Sequence, residues 1–390
     1  MLHRVEKPQH TPLLRQVVEF EKGLLIFICN YPADFVLADK YTVVERPDFD
    51  SVQQVFQEQA RNFLGQEIAE WLWQRTYEKE NGECNLTTFG KTLKQALQYI
   101  NQNPLAGSRI LACAQNDLEF HQHFTDAGYS FHEQTTAADL ITRADLMNFS
   151  PLFISLYKNI FCVSGFPALI HSDAAFGSLT RKDWNNNFWT SNRTINLCPA
   201  CNGQKPDLVH SSQASDVDHF FPKEKYPFLS VHPENLIPIC STCNTNAKGT
   251  KDPINDHNTE NLLDTFHPYY CPAIEHIQLS IRPDAGIGIQ VTLQEQDGIR
   301  SRRIDNLVRV FDLETRWANW YEGFINTRIA TMKYRSLSMP DQIREYLQID
   351  LGDTQNLRET QEKCFVFANF LQYVLNDQQE FESLCESFGV

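Results

Sequence analysis

Hydrophobic positions recur at helical spacing over most of this chain. Val52, Val55, Phe56, Phe63, Leu64, Ile68, Trp71 and Leu72 follow one another at short, mostly three- and four-residue intervals, and Asp50 or Ser51 can cap the start. A shorter stripe of Leu93, Leu97 and Ile100 predicts a second helix over residues 91–101, with further helical patterns at about 137–147 and 151–163. Residues 303–334, 340–347 and 354–388 also read as helices. Two segments depart from this period. The unbroken apolar run Leu24–Cys29, ahead of the turn signal Asn30-Tyr31-Pro32, reads as a strand. Residues 276–281 and 287–291 alternate with period two around Pro283-Asp284-Ala285-Gly286, which predicts a β-hairpin. Core packing accounts for the aromatic-rich stripes without any cofactor box.

Between residues 172 and 192 the chain turns polar and rich in Asn and Trp, which marks a domain boundary. The expected class is α+β, in three parts. Residues 1–180 form a mainly helical N-terminal domain for scaffolding, sensing or partner binding. Residues 181–255 form a compact core with short apolar bursts and clustered metal-ligand residues. Residues 256–390 form the β-hairpin and a helical C-terminal region.

Composition narrows the class further. Of 390 residues, 42% are hydrophobic and 21% charged, which suits a folded globular protein and excludes a disordered one. No apolar run approaches the length of a membrane span, and the N-terminus lacks the apolar stretch of a secretory leader. A cytoplasmic protein without a membrane partner is expected. The net charge of −15 argues against a protein that coats nucleic acid non-specifically. The charge is uneven, however: residues 181–254 hold eight Lys and Arg against seven Asp and Glu, and the rest holds 26 against 42. A local basic groove in the middle segment is compatible with that balance.

Eleven cysteines are many for a reducing compartment. Cys29, Cys84, Cys113, Cys162, Cys271, Cys364 and Cys385 stand singly and are expected to be reduced and packed. The other four form two C-x-x-C pairs, Cys198/Cys201 and Cys240/Cys243. Two intervening residues let one tight turn present both sulfurs to a tetrahedral ion, so the pairs predict a four-cysteine zinc site. A redox C-x-x-C, or two unrelated pairs, are the alternatives, and no thioredoxin-like pattern supports them. Four sulfurs close the coordination shell. The zinc is therefore structural, and any hydrolytic chemistry must occur elsewhere.

Between the pairs runs Asp216-Val217-Asp218-His219-Phe220-Phe221-Pro222-Lys223. Glu234-Asn235-Leu236-Ile237-Pro238-Ile239 leads into the second pair, which is followed at once by Asn244 and then by Lys248-Gly249-Thr250-Lys251. Over roughly 60 residues this arrangement resembles the HNH endonuclease superfamily, with its ββα-metal fold and, here, a four-cysteine zinc site. His219, Asn235 and Asn244 fall on the three signature positions, the last in the family's "HNN" form.

Phosphodiester hydrolysis needs a deprotonated water and positive charge on the phosphorane. His219 is the candidate general base, because neutral imidazole accepts a proton near neutral pH. On a regular strand Asp218 and His219 would face opposite ways, so sharing a site requires the strand to distort or end there. The resemblance implies that it does. It also implies that Asp218 and Asn244 bind a catalytic divalent ion, Mg²⁺ or similar, through hard oxygens. Asn235 resembles the family's middle Asn, which braces the loop and orients the base. Lys223, Lys248 and Lys251 are candidate phosphate contacts. Asp216 is a weaker candidate ligand, and His210, His232 and His267 read as loop or packing histidines.

The expected activity is endonucleolytic cleavage of DNA. An RNase or nicking enzyme on the same core, and a non-catalytic zinc-stabilised interaction module, are the alternatives. The motif run is also similar to bacterial HNH proteins of restriction and antiphage-defence systems, which implies a protein partner acting as sensor or activator. The flanks carry no Walker A loop, dinucleotide fingerprint or methyltransferase motif.

Overall fold

The computed structural model describes all residues except 32–35, 43–45, 126–142, 196, 204–216, 255–261, 285–287, 296–301 and 388–390. The architecture is mostly helical with small antiparallel sheets, as an α+β chain.

Helix α1 (Thr11–Cys29) starts on a proline in its first turn and buries Leu14, Val17, Val18, Leu24, Leu25, Phe27 and Ile28. The run 24–29 expected as a strand is the last part of this helix. Burial on nearly every side there, rather than one exposed face, removes the polar positions that would have revealed a helical period. The long stripe starting near Asp50 is two helices, α2 (Arg46–Leu64) and α3 (Gln66–Thr76). Gly65 separates them at φ +82°, a conformation that other residues adopt only with strain. A three-stranded sheet follows from β1 (Lys40–Tyr41), β2 (Tyr77–Glu80) and β3 (Glu83–Leu86), in the order β1-β3-β2. Tyr41, Phe49, Trp73 and Tyr77 interlock beneath it.

Helix α4 (Thr88–Gln102) buries Leu93, Leu97 and Ile100 as the stripe predicts, and the Thr87 side chain caps its start. Helices α5 (Ala106–Leu118) and α6 (Arg143–Ser155) come next. Pro151 lies inside α6 instead of opening a new helix, and a π-helical turn over Leu156–Phe161 continues it. The short pair β4 (Phe166–Pro167) and β5 (Ser178–Leu179) brackets α7 (Ala168–His171).

The polar stretch that reads as a boundary contains α8 (Arg181–Ser191), opened by a capping box between Thr180 and Asp183. Its Trp184, Phe188 and Trp189 are buried, and Trp184 Nε1 donates to Leu236 O at 3.2 Å. One continuous core runs across both of the expected borders, at 180/181 and 255/256. Strand β6 (Val217–His219) pairs antiparallel with β7 (Leu236–Pro238), setting Asp218 opposite Ile237 and His219 opposite Leu236. The predicted hairpin forms from β8 (Ile277–Asp284) and β9 (Gly288–Glu295). Its Ala285-Gly286 turn lies outside the described residues.

The C-terminal region is α9 (Arg302–Phe311), α10 (Leu313–Tyr334), α11 (Pro340–Leu357), α12 (Cys364–Asn376) and α13 (Gln378–Glu386). The stripe expected over 303–334 is interrupted at Asp312, which sits at φ 49°. Among the described residues no helix is long and apolar enough to cross a membrane.

Candidate active site and metal centre

Each C-x-x-C pair sits on a turn. The Cys198–Cys201 turn is closed by the Asn202 amide donating to Cys198 O at 3.0 Å, and Cys243 enters a π-helical turn over Thr242–Lys248. All four sulfurs lie within 4.8 Å of one another, so the group could hold a metal ion such as zinc. Three of the four cysteines are buried, and Cys240 is half-buried.

Donors converge on the sulfurs as thiolates require. Gly203 N donates to Cys201 Sγ and Cys240 N to Cys198 Sγ, each at 3.3 Å. Arg316 of α10 donates from Nη1 to Cys243 Sγ at 3.3 Å and to Phe311 O at 3.1 Å. Although burial works against its charge, the neighbouring Cys243 and Cys201 side chains raise its pKa above the ordinary value. Trp317, one residue on, donates from Nε1 to Cys201 O at 3.0 Å. Helix α10 therefore closes the four-cysteine cluster from outside the motif. Neither Arg316 nor Trp317 carries a spacing signal that could have announced this.

The second site is a pocket of about 210 Å³, lined among others by Asp218, His219, Lys223, Asn244 and Lys248. Strand β6 ends at His219, where Phe220 N donates to Asn235 O at 2.8 Å, and Asp218 and His219 share the pocket. The His219 ring is 6% exposed, edge-on to Tyr157 with ring centroids 4.4 Å apart. Its Nε2 donates to Ser230 O at 2.9 Å, which leaves the lone pair on Nδ1. Burial, and then the positive charge of Lys223, hold its pKa well below the ordinary histidine range. The ring is thus neutral at physiological pH.

Asn235 is fully buried in the loop behind. Its Oδ1 accepts from Phe221 N at 2.7 Å, and its Nδ2 donates to Phe221 O at 3.1 Å and Leu229 O at 3.0 Å. It thereby staples the start of the loop to its end. Asn235→Ala is expected to cost on the order of 3 kcal/mol, because the buried N–H and C=O of Phe221 lose their partner while Leu229 O keeps only the His232 amide. A shift of the urea midpoint too small to register would show that the loop is held by other contacts.

Glu234, also fully buried, is gripped by Arg15 of α1 and by Lys7 at 3.4 Å, which ties the loop to the N-terminal segment. His232 donates from Nε2 to Leu118 O at 3.1 Å. His267 donates from Nε2 to Glu234 O at 3.1 Å and accepts Tyr269 N–H on Nδ1 at 3.2 Å. Both are packing histidines. Asp216 and His210 lie outside the described residues.

The three lysines separate. Lys223 lines the pocket, with its ammonium 3.2 Å from Glu224. Lys248 lines the pocket from a buried position. It is 2% exposed, and its Nζ donates to Asp218 Oδ1 at 2.9 Å and to His219 O at 2.7 Å. At the end of a tight π-helical turn its stem points inward, so its charge holds the strand end. Lys251 is exposed outside the pocket lining, and its Nζ donates to Arg309 O at 3.1 Å. Two pocket residues lie outside the motif, Arg181 at the start of α8 and Tyr157 of the π-helical turn.

Protonation of the buried histidines opposes folding. Burial first, and then the charge of Arg358, push the His3 pKa down to about 3; burial also takes His232 to about 3 and depresses His267 and His219. The unfolded chain binds protons on these rings below about pH 6.5, and the folded chain does not. Their contribution to stability is therefore complete above that pH and is lost as pH falls below it. Together the four give a slope of up to about 5 kcal/mol per pH unit. Urea midpoints between about pH 7 and pH 5 should fall steeply, and His267→Gln should flatten the slope by about a quarter. An unchanged slope in that variant would exclude His267 as a contributor.

No family model matches the chain, and no solved structure does. The chain is similar to "Protein ea31" of Escherichia phage lambda, at 35% identity over 72 residues. That stretch covers 18% of this chain and 20% of the phage protein.

Proposed function

We propose that this chain is a metal-dependent endonuclease of the HNH type, cleaving phosphodiester bonds in DNA. The observation that carries the reading is the state of His219: Nε2 anchored on Ser230 O, a neutral ring, and Nδ1 left for a polar pocket shared with Asp218 and Asn244. Those are the requirements for a positioned general base.

In this reading, His219 Nδ1 takes a proton from water as the water oxygen bonds to phosphorus and the bond to the leaving sugar oxygen breaks. Asn235 keeps the His219 loop in place, and Lys248 fixes the Asp218 carboxylate through Oδ1. The Asp218 carboxylate and the Asn244 amide oxygen form a hard donor set that fits Mg²⁺ completed by waters and a phosphate oxygen. A divalent ion bound there supplies charge to the phosphorane and the departing oxygen. The four-cysteine centre stays structural, since its shell has no open position.

Supercoiled plasmid and RNA incubated with the protein, with Mg²⁺ or with EDTA, test the reading. Mg²⁺-dependent linear or nicked plasmid is expected. Cleavage of RNA alone would replace the DNA assignment. Cleavage of neither would leave a zinc-stabilised interaction module as the better account.

A further inference from the structure

Arg181 has no place in the motif, yet it reaches the same pocket as His219, Asp218 and Asn244. It is the first residue of α8, and the Thr180–Asp183 capping box fixes the backbone at that point. Trp184, one turn on, is buried and donates to Leu236 O in the strand paired with β6. The root of the Arg181 side chain is thereby locked to the same two-stranded element that carries His219. Tyr157, edge-on to the His219 ring, interacts with Arg181 through its hydroxyl. The guanidinium also lies close enough to His219 to help depress its pKa.

The cations of the pocket differ in what they can offer a phosphate. Lys248 is committed to Asp218 and a backbone carbonyl, and Lys223 is paired with Glu224. Arg181 is half-buried and carries a planar fork of donors, which matches two oxygens of a phosphodiester better than an ammonium does. Resting on the nuclease reading above, we propose that Arg181 is the substrate-binding residue that grips the non-bridging oxygens of the scissile DNA phosphate. Tyr157 orients its guanidinium. The clamp therefore comes from the segment preceding the zinc frame, and it both binds the phosphate and sets it against His219.

Binding and cleavage are read separately. In the cleavage-deficient His219→Ala protein, titration against a fluorescein-labelled DNA duplex in EDTA reports the phosphate contact alone. Arg181→Gln should weaken binding by about tenfold and lower the salt slope by about one unit, and Arg181→Lys should keep the slope. With His219 intact, Arg181→Gln should lose about 10²–10³-fold in kcat, with Arg181→Lys recovering only part because an ammonium cannot fork. Melting temperature and zinc content should match wild type in both variants. Unchanged affinity and salt slope in Arg181→Gln, while His219→Ala abolishes cleavage, would overturn this clamp and leave the nuclease reading standing. Cleavage undiminished in His219→Ala would overturn His219 as the base, and with it a clamp that presents the phosphate to His219; absence of cleavage by the wild-type protein would overturn the nuclease reading itself. A loss restricted to RNA substrates would overturn the assignment to DNA.

Discussion

Replacing His219 by alanine is expected to lower the rate of phosphodiester cleavage by about 10²–10⁴-fold. The ring supplies the pocket's neutral, oriented lone pair, and among the described residues no other histidine lines that pocket. The substitution also strands the buried carbonyl of Ser230, at a cost of about 1–3 kcal/mol. His219→Asn is therefore the matching variant, since its amide can still donate while its basicity is lost. Both should retain zinc, and both should bind DNA at least as well as wild type in EDTA. Plasmid cleavage at the wild-type rate by either variant, after rigorous removal of contaminating nuclease, would sink the assignment of the base. The acid limb of the rate profile offers a second check. Burial and the charge of Lys223 hold His219 below the usual histidine range, so activity should persist at pH values under about 6.5, where an unperturbed histidine would already be charged.

Cys240→Ser should remove the bound zinc and unfold much of the middle segment. Binding of a structural zinc by four thiolates is worth on the order of 10 kcal/mol, comparable with the whole stability of a domain. Here the ion would also relieve the crowding of four sulfurs within 4.8 Å. Arg316, Trp317 and the Cys201 turn rest directly on that centre, so its loss would loosen α10 as well. Metal analysis should find one equivalent of zinc in wild type and none in the variant. If the variant proves insoluble, slow chelation of the wild-type protein while following tryptophan fluorescence gives the same answer. Unchanged metal content, or a melting temperature indifferent to chelation, would refute the four-cysteine centre.

Much of the candidate site is legible in the sequence, because its chemistry is local. A turn with two intervening residues must bring Cys198 and Cys201 together, and the same holds for Cys240 and Cys243. The helical stripe of α4 and the alternation of β8 and β9 are readable for a related reason: hydrophobic positions recur there with the period of the element they build. The pattern misleads where burial is nearly uniform, as in the second half of α1, and where a single backbone angle divides a continuous stripe, as at Gly65 and Asp312. It is silent on where lysines point. A lysine in sequence is a charge without a direction, and only the packing of the π-helical turn sends Lys248 inward to Asp218 while Lys251 reaches Arg309.

By itself the sequence determined the mostly helical α+β class, the two cysteine pairs and a set of candidate residues for chemistry. Tertiary structure decided which of those groups meet. It ended β6 at His219 so that two consecutive residues share one pocket. It brought Arg181 and Tyr157 to that pocket and Arg316 to the thiolates, across separations that carry no periodicity. The physical reason is that spacing along a chain constrains neighbours within a turn or two. Contacts between distant residues are set by how buried faces fit, and that information is spread over the whole core.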